Sequence, residues 1–297
     1  MVHPAPVWEL GVEVSGGRLA AFGLGAERAS APLVIAVHGI TSNSRAWLPL
    51  ARALDGRASV VAVDLRGRAA SNGLPGPYGS SAHAADLLAL ADALQAEDIV
   101  LVGHSLGAYI VARFAVEHPQ RVHTAILVDG GLTIPGSEGV DPQVFADAFL
   151  GPALARLKLT FPSRDAYRDW WRAHPAIANG DVADEDLIAY TDHDLTGAEP
   201  ELRSSVLEQA VRGDAEDLLA ASRSAHRLEV RAKLLCAPRG LLDQPDPMQP
   251  LEQVHAWAEE DPRRREAKQI PDVNHYTITL GTAGAAAVAE VVAASLP

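Results

Sequence analysis

Residues 99–118 constrain the fold of this chain more than any other stretch. They read as an apolar strand (Ile99–Val102), a tight turn (Gly103-His-Ser105-Leu-Gly107) and a helical pattern (Leu106–His118). A turn this short between strand and helix forces its central residue into strained dihedrals and lifts that side chain clear of the sheet. The two glycines fit because a Cβ at either position would collide with the strand or helix beside it. No lysine opens the helix, as a phosphate-binding loop would require. The segment therefore presents the hydroxyl of Ser105 at the end of a buried strand.

Around this unit the chain alternates between strands and helices. Val7–Val14 and Arg18–Gly23, joined by a Ser-Gly-Gly turn, read as an antiparallel hairpin. Leu33–Val37, Val60–Val63, Ile99–Val102, Ala125–Val128, Lys233–Ala237 and Ala267–Ile270 are short strand segments, mostly continuous apolar runs, as expected of strands covered on both faces. Helical patterns lie between them: Ser44–Leu54 with Ser42 or Ser44 as N-cap, Ser81–Leu94, Leu251–Glu260 and Thr282–Ser295. Between about 131 and 226 the strand rhythm stops. Short helical segments follow (Ser163–Ala173, Asp184–Tyr190, Leu202–Arg212), broken by Pro152, Pro162, Pro175 and Pro200. The expected architecture is α/β: a mostly parallel eight-stranded sheet flanked by helices. Its core is built from 1–130 and 227–297, and a helical insertion spans 131–226.

Composition narrows the function. Among 297 residues, the formal net charge of −13 argues against nucleic acid or an anionic membrane as partner, since both need a basic face. No apolar run reaches membrane-spanning length. Met1–Gly11 lacks a basic segment followed by an apolar one, so no export leader is expected. Cys236 is the single cysteine and lies in an apolar run, which leaves no internal disulfide and suits a cytoplasmic location. Gly23-Leu-Gly25 lacks the third glycine of a dinucleotide loop, and no Cys/His cluster suggests zinc, so neither cofactor nor metal is expected.

A serine hydroxyl needs a base within reach, and the base needs an orienting carboxylate. Of the eleven histidines, His275 lies just beyond the last strand and before the last helix, at the carboxyl edge where site residues gather in open α/β sheets. His104 adjoins Ser105 but projects in another direction. For the acid, Asp243 follows the strand Lys233–Ala237 and precedes His275; Asp129 and Asp246 are the alternatives. Asp64 ends a strand ahead of the serine and is expected to brace neighbouring loops. Oxyanion stabilisation would come from the backbone N–H of Leu106, which opens a helix, and that of Ile40, in the loop His38-Gly39-Ile40-Thr41.

With these residues placed, the chain resembles the α/β-hydrolase fold superfamily in its single-domain serine esterase and lipase-like branch. His38-Gly39 sits at the family's oxyanion loop, Asp64-Leu-Arg-Gly67 at its Asp-x-x-Gly segment, and Gly103-His-Ser105-Leu-Gly107 at its nucleophile elbow. Gly240-Leu-Leu-Asp243 resembles its acid loop and Asn274-His275 its histidine. The resemblance implies that 131–226 is a lid over the active site. A serine in place of an aspartate at the elbow disfavours dehalogenase and epoxide hydrolase chemistry. Aromatic residues are frequent in the insertion, and Trp170, Trp171 and Tyr190 are the expected substrate contacts. The expected activity is cleavage of a carboxylic ester of a small, mostly apolar substrate through an acyl-enzyme. The same triad could serve thioester or lactone cleavage, perhydrolysis or C–C hydrolysis, and a ligand-binding module with little turnover is a rival from another class.

Overall fold

A computed structural model describes residues 7–25 and 31–297. The first six residues, part of the segment read above for an export leader, lie outside that description. Eight strands form one sheet: β1 (Val7–Val14), β2 (Gly17–Leu24), β3 (Leu33–Val37), β4 (Ser59–Val63), β5 (Ile99–His104), β6 (Val122–Val128), β7 (Arg231–Cys236) and β8 (Arg265–Gln269). Their spatial order is β1-β2-β4-β3-β5-β6-β7-β8. The β1–β2 hairpin is antiparallel, β2 runs antiparallel to β4, and every later pairing is parallel.

The continuous apolar strands are explained by two cores, one on each face. Alternate residues divide between them. Ile35, Val37, Leu101, Ala125, Leu127 and Leu234 face one core. Val34, Ala36, Val100, Val102, Ile126 and Leu235 face the other. Helices α2 (Ser80–Ala93), α3 (Leu106–Glu117) and α9 (Leu251–Glu259) cover the first face, and α1 (Leu48–Leu54) and α11 (Thr282–Ala293) cover the second. Each methylene taken from water here contributes roughly 0.8 kcal/mol, so both faces are needed to hold a sheet of this width.

Strand order reverses at β3 and β5, and the helices leaving these strands, α1 and α3, pass to opposite faces. The loops after β3 and β5 therefore border an open crevice at the carboxyl edge. A topological switch of this kind is where open α/β sheets bind ligands.

Between β6 and β7 the chain is helical. It comprises α4 (Pro142–Arg156), α5 (Arg164–Arg172), α6 (Pro175–Ala178), α7 (Asp184–Asp194) and α8 (Glu208–Ala221). This insertion has its own apolar cluster, in which Phe161, Tyr167, Trp171, Leu187 and Tyr190 pack on Ala46 and Leu280 of the core. It also holds a two-residue antiparallel ribbon, Leu195–Thr196 against Arg203–Ser204.

Local details depart from the sequence reading. Pro152 was expected to break a helix, yet it sits inside α4, where the missing N–H costs one ladder bond in a helix otherwise held by its packing. The expected helix over Leu202–Arg212 begins at Glu208, because Arg203 and Ser204 are spent on the ribbon. Ser44–Leu54 divides into a 3₁₀ turn (Ser44–Trp47) and α1. Its cap is Asn43, whose side chain accepts the Arg45 N–H, rather than Ser42 or Ser44.

Candidate active site

The turn between β5 and α3 has the strained geometry its sequence suggested. Ser105 adopts φ 54° and ψ −120°, a conformation that costs a non-glycine residue on the order of 1–3 kcal/mol. The packing around it holds that strain in place. A Cβ on Gly103 would stand 2.1 Å from the Gly107 carbonyl oxygen, and one on Gly107 would stand 2.1 Å from that of Val37. The Ser105 N–H donates to the Val128 carbonyl at 2.9 Å, which ties the elbow to the end of β6.

His275 follows β8 in the loop that leads into α10 (Thr277–Leu280), and it is buried. Its Nδ1 lies 2.6 Å from Asp129 Oδ2. Asp129 is the residue immediately after β6 and is fully buried. Its other oxygen accepts the Ala237 N–H at 3.0 Å, and its own N–H donates to the Leu235 carbonyl at 2.7 Å. The carboxylate is therefore fixed on two sides, and it accepts the Nδ1–H of the imidazole. Ser105 and His275 open into the same cavity.

This arrangement corrects the expectation for the acid. Asp243 does not reach His275. Its Oδ1 accepts Asn274 Nδ2 at 2.9 Å and lies 3.2 Å from Arg239 Nε. The chain after β7 turns through Gly240, so Asp243 braces the neighbour of the histidine instead of its ring. Asp129 carried a signal of its own in the two glycines that follow it. A Cβ on Gly130 would stand 2.5 Å from the Ser105 carbonyl oxygen, so that residue packs directly on the elbow.

The loop expected to stabilise an oxyanion follows β3. A Cβ on Gly39 would come within 3.2 Å of Ser105 Cβ, which shows how closely this backbone passes that serine. Ile40 and Leu106 both line the cavity, and the Leu106 N–H opens α3, where backbone donors lack partners within the helix. His38 Nδ1 lies 2.7 Å from the Gly39 carbonyl, and its Nε2 accepts the Leu65 N–H at 3.0 Å. Asp64 acts as a brace, as its position suggested: it accepts the Ser44 and Ala70 N–H groups and pairs with His193 Nε2 at 2.7 Å.

The cavity has a volume of about 480 Å³. Trp170, Trp171 and Tyr190 all line it, with Phe149, Met248 and Tyr276 among their neighbours. Trp171 and Tyr190 are also buried members of the insertion's own cluster, so they shape the wall by packing it. One charged wall residue was not anticipated. Arg156, at the end of α4, is buried with its guanidinium on Asp194 Oδ2 (2.7 Å), Tyr167 Oη (2.5 Å) and the Thr41 carbonyl (3.0 Å). An arginine closing an otherwise apolar helix face was the available signal. The described residues hold no cluster of metal-ligating side chains.

Burial keeps three imidazoles at the site neutral. Desolvation lowers His38 to about 4. It takes His104 well below the usual value, helped by the neighbouring His275. It lowers His174 to about 4, with Arg156 adding to the effect. His104 uses Nε2 to donate to the His275 carbonyl at 2.8 Å, which fixes the backbone there. Because these folded values lie below the ordinary 6.5, the unfolded chain binds more protons between about pH 6.5 and 4, and stability falls as pH falls through that window. For His38 alone the loss at pH 5 is on the order of 2 kcal/mol. The urea midpoint should therefore drop between pH 7 and pH 5. A midpoint that stays level over that interval would contradict the assignment.

Comparison with known proteins bears on the fold. Residues 32–186 match the family described as alpha/beta hydrolase fold. Over 103 residues the chain is 37% identical to 2-(acetamidomethylene)succinate hydrolase of Mesorhizobium japonicum, covering 35% of this chain and 37% of that protein. Over 159 residues it is 30% identical to lipase LipV of Mycobacterium tuberculosis, covering 52% of this chain and 58% of that protein. The matches thus span between about a third and three fifths of these relatives. The crystal structure of E-2-(acetamidomethylene)succinate hydrolase superposes with a TM-score of 0.78 over 97% of this chain and 98% of that one, at 19% identity, a likeness of fold. With the family match covering more than half of the chain, and the strand order and elbow as described, the protein belongs to the alpha/beta hydrolase fold family.

Proposed function

We propose that the chain is a serine hydrolase that cleaves a carboxylic ester of a small, mostly apolar substrate through an acyl-enzyme. The observation that carries this reading is His275 held by Asp129 at 2.6 Å, opening with Ser105 into one largely apolar cavity.

In this mechanism His275 Nε2 takes the Ser105 hydroxyl proton as Oγ attacks the ester carbonyl. Asp129 holds the tautomer and stabilises the imidazolium that forms. The N–H groups of Ile40 and Leu106 receive the negative charge of the tetrahedral oxygen, and one such donor is worth roughly 10²–10³ in rate. Collapse breaks the ester C–O bond, and His275 returns the proton to the departing alcohol. Water, deprotonated by the same imidazole, then releases the acid and restores Ser105. The insertion serves as a lid whose aromatic wall favours apolar acyl or alcohol groups.

A second reading keeps the triad and changes the bond. One relative is named for a substrate bearing an acetamido group, so C–N cleavage joins thioester and lactone cleavage as a rival to ester hydrolysis.

A fluorophosphonate should label Ser105 rapidly, as read by peptide mass mapping, and Ser105→Ala should abolish both labelling and turnover. A panel of ester, thioester and amide substrates of similar size should show the ester turned over fastest. Unlabelled Ser105 in folded protein would sink the serine-hydrolase reading, and a preferred amide would move the activity to C–N bonds. For the acid, Asp129→Asn should lower kcat by about 10⁴, whereas Asp243→Asn should cost far less. Equal losses in the two variants, or the reverse order, would return the role to Asp243.

A further inference from the structure

The N–H assigned to the oxyanion at Ile40 belongs to a run of backbone whose successive carbonyls are all held by side chains. The Gly39 carbonyl, in the same peptide unit as the Ile40 N–H, lies 2.7 Å from His38 Nδ1 and also accepts the Ser42 N–H at 3.2 Å. The next carbonyl, that of Ile40, accepts from Arg68 Nε at 3.0 Å. The third, that of Thr41, accepts from the Arg156 guanidinium at 3.0 Å. A peptide unit is planar, so the hold on the Gly39 carbonyl sets the direction of the Ile40 N–H, and the holds on the next two carbonyls fix the course of the loop that carries it.

Arg68 is fully buried, and its guanidinium makes two further contacts. One nitrogen donates to the Arg66 carbonyl at 2.8 Å, and another lies 2.6 Å from Asp214 Oδ2. Asp214 is itself fully buried on α8 of the insertion, and its second oxygen takes His83 Nε2 at 2.9 Å and the Gly79 N–H at 2.6 Å. Neither Arg68 nor Asp214 is among the residues lining the cavity. If stability alone were needed, an apolar pair of the same volume would avoid the desolvation cost of these charges.

We propose that Arg68, paired with Asp214 of the insertion, is a positioning residue: it anchors the Ile40 carbonyl and so the loop that carries the Ile40 N–H, which couples docking of the insertion to the oxyanion hole. This rests on the serine-hydrolase reading above. Without Arg68 the Ile40–Thr41 peptide loses its anchor, and the loop that carries the donor can shift without any direct contact to substrate being removed. A small misplacement of this kind costs up to about 10²-fold in rate.

The test compares an aryl ester with its thiono counterpart. Sulfur is a larger and weaker acceptor than oxygen, so the oxo-to-thiono rate ratio reports how well the hole fits an oxyanion. Arg68→Gln should lower kcat for the oxo ester by about 10- to 10²-fold, leave KM nearly unchanged and shrink the ratio. Asp214→Asn, which keeps the shape but removes the charge, should act in the same direction with a smaller loss. Arg68→Lys should recover only part of the rate, since one ammonium cannot reproduce the fork. Folding of each variant is read from its urea midpoint, and if Arg68→Gln does not fold, Asp214→Asn decides by the same ratio. Equal losses for both esters, or an unchanged kcat in a folded variant, would overturn the proposal by reducing the pair to a structural bond. A wild-type protein that cleaves neither ester and leaves Ser105 unlabelled would remove the parent reading, and the hole with it.

Discussion

A single buried carboxylate connects the parts of this site. Asp129 stands where β6 ends, one oxygen on the Ala237 N–H beyond β7 and the other on His275 Nδ1. An isolated charge at such a depth would cost several kcal/mol, and these two bonds are what make it tolerable. The same residue is linked through its N–H to Leu235, and the preceding carbonyl, that of Val128, holds the Ser105 N–H. Ser105, His275 and the ends of two neighbouring strands are therefore tied to one short segment, Val128-Asp129-Gly130. Gly130 has no room for a side chain because the elbow backbone occupies that space.

The insertion is attached by the same kind of physics. Asp186 pairs with Arg52 of α1, Asp214 with Arg68 and His193 with Asp64, while Arg156 and Asp194 pair within the insertion and reach the Thr41 carbonyl. Several of these groups are buried on both sides. Removing one partner of a buried pair typically costs about 3–5 kcal/mol, because the other is left uncompensated. Apolar contacts of the insertion with Ala46 and Leu280 add to the attachment. Docking through directional bonds fixes position more tightly than apolar contact alone, which suits a wall that shapes a cavity beside a reacting bond.

Much of this was legible in the sequence, and the parts that were not have physical reasons. The elbow was readable because glycine spacing and a buried strand coincide at Ser105. His275 was readable because it falls in the loop beyond the last strand. The carboxylate that meets His275 was not, because Asp129 and Asp243 both follow an apolar strand and precede the histidine. Their difference lies in how each loop turns, with Asp243 drawn to Asn274 and Arg239. Helix α4 was hidden by Pro152, a local signal outweighed by burial of Phe145, Ala146, Leu150 and Leu154. The arginine grips on the oxyanion loop were invisible for a related reason: Arg68 and Arg156 are far apart in sequence, and only the docked insertion brings them to adjacent carbonyls.

The account rests on the hydrogen bond between Asp129 and His275, and proton NMR observes that bond directly. A 2.6 Å imidazole–carboxylate contact shielded from water should give a slowly exchanging Nδ1 proton well downfield of the amide envelope. That resonance should vanish in His275→Gln and in Asp129→Asn, and it should persist in Asp243→Asn. A resonance that survives in Asp129→Asn but is lost in Asp243→Asn would contradict the account.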